Sequence, residues 1–183
     1  MSAIRLIAAV GLILTLAGCA SLSGGGSGPG APQPLKSIDA ERFYSGRWLE
    51  VARLPMDITD GCVAGATAYA LRDDGKVDVR DTCQVDTPQG RERAISGVGT
   101  FVDPGTNAKL RVRYLWLVVW EYWVLDRADD YSWFISSDPS FEKLFIYTRE
   151  VPTEAELVAL VRRAAELGYD TDRLEFPEPL PAD

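Results

Sequence analysis

Val63-Ala64-Gly65-Ala66-Thr67-Ala68-Tyr69-Ala70-Leu71-Arg72, then Asp73-Asp74-Gly75-Lys76, then Val77-Asp78-Val79-Arg80-Asp81-Thr82-Cys83-Gln84 is the stretch that decides the fold. Both runs read as short β-rich segments bounded by turn chemistry. The Asp-Gly pair between the two runs is a strong hairpin signal, since Gly accepts the positive φ of a tight turn. The runs 63–72 and 77–84 therefore read as antiparallel neighbours.

The same pattern continues in both directions. Upstream, 46–53 is a strand stopped by Pro55; downstream come 94–102, ended by Asp103-Pro104-Gly105-Thr106-Asn107, then 109–115 and about 119–125. Residues 131–136 are halted by Ser137-Asp138-Pro139, and 144–149 form the last run. That makes eight strands with connections short enough for antiparallel pairing. A helix follows: Thr153-Glu154-Ala155-Glu156 is a capping box, and Leu157, Leu160, Val161, Ala164 and Leu167 share one face before Gly168. The expected fold is all-β, an eight-stranded antiparallel up-and-down barrel with one C-terminal α-helix packed outside. Closure hides the sheet edges and leaves room inside for one small ligand. A two-sheet sandwich is the alternative.

Composition narrows the chemistry. The chain has 183 residues, a formal net charge of -8 and no histidine. The acidic balance argues against a nucleic-acid partner, which needs a basic footprint. Without His there is no Ser-His-Asp or Cys-His catalysis and no imidazole metal ligand. Three cysteines cannot make a four-thiolate zinc site. No metal, cofactor or catalytic constellation is expected.

Residues 1–18 carry one early charge, Arg5, and an apolar run from Leu6 to Leu16. The run is too short for a bilayer core of about 30 Å, and it reads as a secretory signal. Its end, Leu16-Ala17-Gly18-Cys19, resembles the lipobox of bacterial lipoproteins, which implies cleavage before Cys19 and lipidation of its thiol. Ala20, rather than Asp, after that cysteine implies sorting to the outer membrane, with the domain facing the periplasm. Residues 19–36, rich in Gly, Ser and Pro, form the lipidated cysteine and a tether, and 37–183 the folded domain. A tether of roughly 15 residues has a reach on the order of 20 Å. Cys62 and Cys83 remain as an even pair in an exported chain, which suggests one disulfide, the alternative being two separate buried thiols. A strict two-residue hairpin register sets Cys62 opposite Thr87, so the bond needs the preceding loop to fold back.

A family resemblance rests on three motifs. The segment Asp39-Ala40-Glu41-Arg42-Phe43-Tyr44-Ser45-Gly46-Arg47-Trp48 resembles the opening of a lipocalin, with its Gly-x-Trp signature at Gly46 and Trp48. Asp129-Asp130-Tyr131 matches the second lipocalin motif, and Arg149 the third, an Arg ending the last strand. The resemblance runs from about residue 38 to 176 and is strongest to the lipoprotein lipocalins of bacteria and to apolipoprotein D. It implies that Trp48 and Arg149 plug the barrel floor, in a cation–π contact of about 0.5–2 kcal/mol, rather than touching ligand. Asp130 and Tyr131 would fix the adjacent turn.

Alternation from Arg149 turns Tyr147 and Phe145 inward. The resemblance adds Tyr69, Asp81, Tyr114, Trp116 and Tyr122 to the ligand-binding set. Aromatic walls with a carboxylate suit an elongated apolar ligand with a polar head, and the family implies fatty acids or lysophospholipids. The alternative is that these rings fill a solid core. Relatives often have Gly and Pro where this chain has Leu117-Val118-Val119; such a loop either touches lipid or another subunit, a homodimer included, or folds inward over the pocket. The leading reading is a lipid-binding module anchored to a membrane. The others are a lipid-modifying enzyme using Asp81 or Glu50, and an envelope interaction protein with a filled barrel.

Overall fold

The computed structural model describes residues 30–115 and 118–180. The expected leader 1–18, the lipidation site Cys19, most of the tether, Trp116 and Leu117 lie outside those residues.

Eight strands close into one antiparallel barrel in chain order: β1 (Ser45–Arg53), β2 (Cys62–Leu71), β3 (Val77–Val85), β4 (Arg91–Phe101), β5 (Lys109–Tyr114), β6 (Val118–Arg127), β7 (Trp133–Ser137) and β8 (Leu144–Thr148). β8 returns to pair with β1, so no edge is left open, and the sandwich alternative is excluded.

Local chemistry moves several strand ends from their expected places. β7 begins at Trp133 rather than Tyr131 because Tyr131 sits at φ 63°, a left-handed conformation that no strand accommodates. β4 starts three residues early, since Arg91, Glu92 and Arg93 pair with Val85, Gln84 and Cys83 and lengthen the wall. The β2–β3 connection is not a two-residue loop. Arg72 N–H bonds the Lys76 carbonyl and Gly75 N–H the Arg72 carbonyl, leaving three residues in the loop with Gly75 at φ 75°. That is a turn followed by a glycine bulge.

A four-residue helix, α1 (Ala40–Phe43), precedes the barrel and was not expected from the sequence. The Asp39 carboxylate caps it, accepting from Glu41 N at 3.1 Å and Arg42 N at 3.2 Å. Its last residue, Phe43, is fully buried against Trp48, Tyr44 and Phe134 at the closed end. The second helix, α2 (Glu154–Glu166), lies outside as expected, with both arms of the capping box formed between Thr153 and Glu156. Leu160 and Ala164 are buried in a cluster with Leu49, Leu125, Ile135, Leu144 and Ile146 on the outer face of the barrel. Arg163 adds an ion pair at 2.7 Å to the buried Asp126.

The segment before α1 is also docked. Ala31 N–H bonds Pro139 O, Leu35 N–H bonds Leu125 O, and Ile38 N–H bonds Thr106 O. The chain thus enters beside the β7–β8 loop and descends the outer wall to the floor.

Candidate functional site

Two ends of different character bound the barrel interior. At the closed end Trp48 is fully buried, its indole N–H donates to Phe43 O at 3.2 Å, and the Arg149 guanidinium lies 3.6 Å over its ring. Arg149 also donates to the carbonyls of Ser45, Arg47, Arg42 and Phe43, which ties the end of β8 to the start of β1. Gly46 is required here: its φ is 65°, and a Cβ would come 3.6 Å from Arg149 Nη1. The Tyr131 ring is held between the guanidinium groups of Arg42, at 4.5 Å, and Arg127, at 4.3 Å. Its hydroxyl accepts from Asp39 N, while Asp130 Oδ1 accepts from Ser132 N. Gly46, Trp48, Asp130, Tyr131 and Arg149 therefore build the floor and its turn, and none of them lines the cavity above.

That cavity has a volume of about 230 Å³. Tyr69 on β2, Asp81 on β3, Tyr114 on β5, Tyr122 on β6, and Phe145 and Tyr147 on β8 all line it. Below them Val77, Val79, Leu110 and Val112 pack with the floor aromatics, so the lower half is solid and the upper half open.

Several lining residues were not in the expected set. Trp120 lines the cavity, and the two-residue period from Tyr122 gives it directly. Glu50 follows from Trp48 by the same alternation. Arg53 does not: a bulge between Glu50 and Ala52 shifts the register with β8, so Ala52 joins the outer cluster and Arg53 turns inward. The bulge carries no sequence signal that alternation could read.

Arg53 is almost fully buried and fully engaged. It donates to Glu50 Oε1 at 2.7 Å, Glu175 Oε2 at 2.8 Å and Cys62 O at 2.7 Å. Burial raises the Glu50 carboxyl above its ordinary value, and Arg53 opposes that shift. Burial likewise raises Asp81, against the hydrogen bond from the Tyr114 hydroxyl. Tyr114 Oη is in turn 3.1 Å from Tyr122 Oη. The Tyr69, Tyr114, Tyr122 and Tyr147 phenols are all pushed up by burial and stay neutral donors. Gly97 makes room for this cluster: it pairs with Tyr114, and a Cβ there would meet Tyr114 Cδ1 at 2.9 Å and Arg113 O at 2.8 Å.

The mouth is braced by the Cys62–Cys83 disulfide, with Cα atoms 5.4 Å apart. The expected obstacle disappears for two reasons. The three-residue loop shifts the ladder by one, and a bulge between Cys62 and Ala64 shifts it again, so Cys62 faces Val85 and Cys83 is its diagonal neighbour. Arg93 donates to Asp60 O and Cys62 Sγ beside the bond. Val118, expected in the β5–β6 loop, is instead the first residue of β6, and Val119 follows it near the expected strand start; both are half-exposed at the rim with Leu115. Ile58, in the β1–β2 connection, is also exposed. Among the described residues no group of His, Cys, Asp and Glu is placed to hold a metal ion.

Residues 38–179 match the model of the lipocalin-like domain. The chain belongs to the lipocalin family. This lipocalin is 32% identical over 151 residues to temperature-induced lipocalin-1 of Arabidopsis thaliana, covering 76% of this chain and 78% of that protein. It is 29% identical over 152 residues to the outer membrane lipoprotein Blc of Vibrio cholerae, covering 80% and 88%. Among solved structures, insecticyanin of Manduca sexta superposes with a TM-score of 0.61 at 19% identity, over 81% of this chain and 86% of that one. The tryptamine complex of the amine binding protein of Rhodnius prolixus gives 0.60 at 14% identity, over 81% and 86%. At these identities the two structures share the lipocalin's fold and carry nothing further.

Proposed function

We propose that this lipocalin is an envelope lipoprotein that binds, stores or carries single-chain lipids, fatty acids or lysophospholipids, in its barrel. The observation that carries this is the open cavity of about 230 Å³, walled by aromatic rings with neutral phenols and a carboxylate among them, above a floor sealed by Trp48 and Arg149. Such a lining removes an alkyl chain from water while leaving partners for a polar head. The protein is a binder rather than a catalyst in this reading: Glu50 is held by Arg53 and Asp81 by Tyr114.

Residues 1–18 act as the signal peptide, Cys19 bears the lipid, and the domain faces the periplasm from the outer membrane. The name of the Vibrio cholerae relative supports that location. No helix among the described residues is long and apolar enough to cross a membrane. Gly30 lies beside Pro139 in the β7–β8 loop, at the open-end side of the barrel. A tether that joins the domain there holds the mouth rather than the floor near the lipid surface.

Mass spectrometry of lipids extracted after native purification tests the reading. One single-chain lipid class recurring at near-stoichiometric amounts is expected. Protein that is repeatedly lipid-free, and that takes up neither lipid class when offered, contradicts it. Replacing Cys19 with Ala is expected to release the protein from the membrane fraction.

A further inference from the structure

Asp81 is the one carboxylate of the cavity lining without a basic partner among the described residues. The lining contains two cations, Arg53 and Arg93. Arg53 is divided between Glu50, Glu175 and a carbonyl, and Arg93 is turned to Asp60 O and the disulfide sulfurs. Asp81 has instead the Tyr114 hydroxyl, with Tyr122 behind it. Directly across the β2–β3 ladder from Asp81 is Thr67, 1% exposed, whose hydroxyl makes no hydrogen bond of good geometry yet lies close enough to Asp81 and Tyr69 to favour their charged forms. Thr67 lies on the inward face of β2 with Gly65 and Tyr69, both of which line the cavity. A carboxylate whose neighbours are hydroxyls and not cations, at the boundary between solid core and open cavity, is a polar seat that favours a positively charged group.

We propose that Asp81, with Thr67, Tyr114 and Tyr122 around it, seats the protonated nitrogen of an amine-bearing apolar ligand, and that the cavity prefers such ligands to carboxylates. This rests on the reading that the cavity binds a single-chain lipid, and within that reading it ranks amine-bearing chains above fatty acids. An ammonium group supplies three donors, and the Asp81 carboxylate and the hydroxyl oxygens beside it can accept them, whereas a fatty-acid carboxylate brought there meets like charge from Asp81 and Glu50. The nitrogen enters first, and the chain lies back along Ile95 and Trp120 toward Met56 and Val118 at the mouth.

Calorimetric titration of the purified protein with decylamine, decanol and decanoate at neutral pH tests this, repeated with Asp81→Asn, which keeps a partner for Tyr114. Decylamine is expected to bind roughly tenfold or more tightly than the other two, and the Asn variant to lose that preference while still binding decanol. Decanoate or decanol binding wild type as tightly as decylamine overturns the proposal and leaves lipid binding intact. A preference that survives in Asp81→Asn also overturns it. If none of the three binds wild type, the proposed function itself fails.

Discussion

The Arg149 guanidinium rests 3.6 Å from the centre of the Trp48 ring, and that contact joins the last strand of the barrel to the first. The same guanidinium donates to four backbone carbonyls between Arg42 and Arg47, so one side chain closes the cylinder and caps the turn after α1. Replacing Arg149 with Ala is expected to cost about 2–4 kcal/mol, from charged hydrogen bonds and the cation–π contact together. Lys keeps the charge but not the planar fork, and should recover less than half of the loss. Urea unfolding of the two variants measures both values. Equal stability of Arg149→Ala and wild type would contradict the closure role.

At the other end the disulfide closes a loop of 21 residues. Cross-linking a loop of that length contributes about 3 kcal/mol in the chain-entropy account. The double variant Cys62→Ser with Cys83→Ser should therefore unfold at a lower urea midpoint, with the far-ultraviolet circular dichroism of the barrel retained. Treatment of wild type with a thiol reductant should reproduce the shift.

Those two closures differ in how far the sequence announces them. Gly46, Trp48 and Arg149 are reached through the lipocalin motifs they match, and the alternating strand directions put Trp48 and Arg149 at one end of the barrel, so the floor is legible in the sequence through that resemblance. Pairing of Cys62 with Cys83 depends on a glycine-bulge loop and a second bulge at Val63, each changing the register by one residue. Alternation cannot see such insertions, and Arg53 is hidden for the same reason. α1 is too short to show a helical period. Trp120, by contrast, was legible two residues before Tyr122.

Outside the barrel, Leu160 is the buried anchor of α2, 5% exposed. Leu160→Ala is expected to cost about 2–4 kcal/mol, because the rigid sheet behind it cannot collapse into the space. Hydrogen exchange should show α2 amides opening sooner while the β2–β3 ladder is unchanged.

Gly97→Ala tests the positioning of the polar cluster. The added Cβ would press on Tyr114 and the Arg113 carbonyl, so a loss of about 1–3 kcal/mol is expected, and the Tyr114 hydroxyl should leave Asp81. Weaker binding of a nitrogen-bearing ligand, with decanol affinity less affected, is the second readout.

Stability should also carry the signature of two buried acids. Glu50 and Asp81 are raised from 4.5 and 3.8, so between those values and their folded-state pKa the native protein holds protons that the unfolded chain releases. Their contribution is therefore present at acidic pH and lost as pH rises through the raised values. The lowered surface acids Asp74, Asp129 and Glu156 act in the opposite sense, losing stability only as pH falls below the ordinary carboxylate range. The urea midpoint of wild type should fall more as the pH is raised above the ordinary carboxylate range than that of Asp81→Asn. An identical profile in the two proteins would place the titration elsewhere.

The most direct measurement is tryptophan emission during titration with a lysophospholipid kept below its micellar concentration, in wild type and in a cavity-filled Ile95→Trp variant whose barrel is verified by circular dichroism. Ile95 lines the cavity, and Trp120 reports on it. A saturable change at about one ligand per chain in wild type, absent from the filled variant, is the predicted result. The same response in both proteins, or none in either, would mean that the interior is not where the ligand goes.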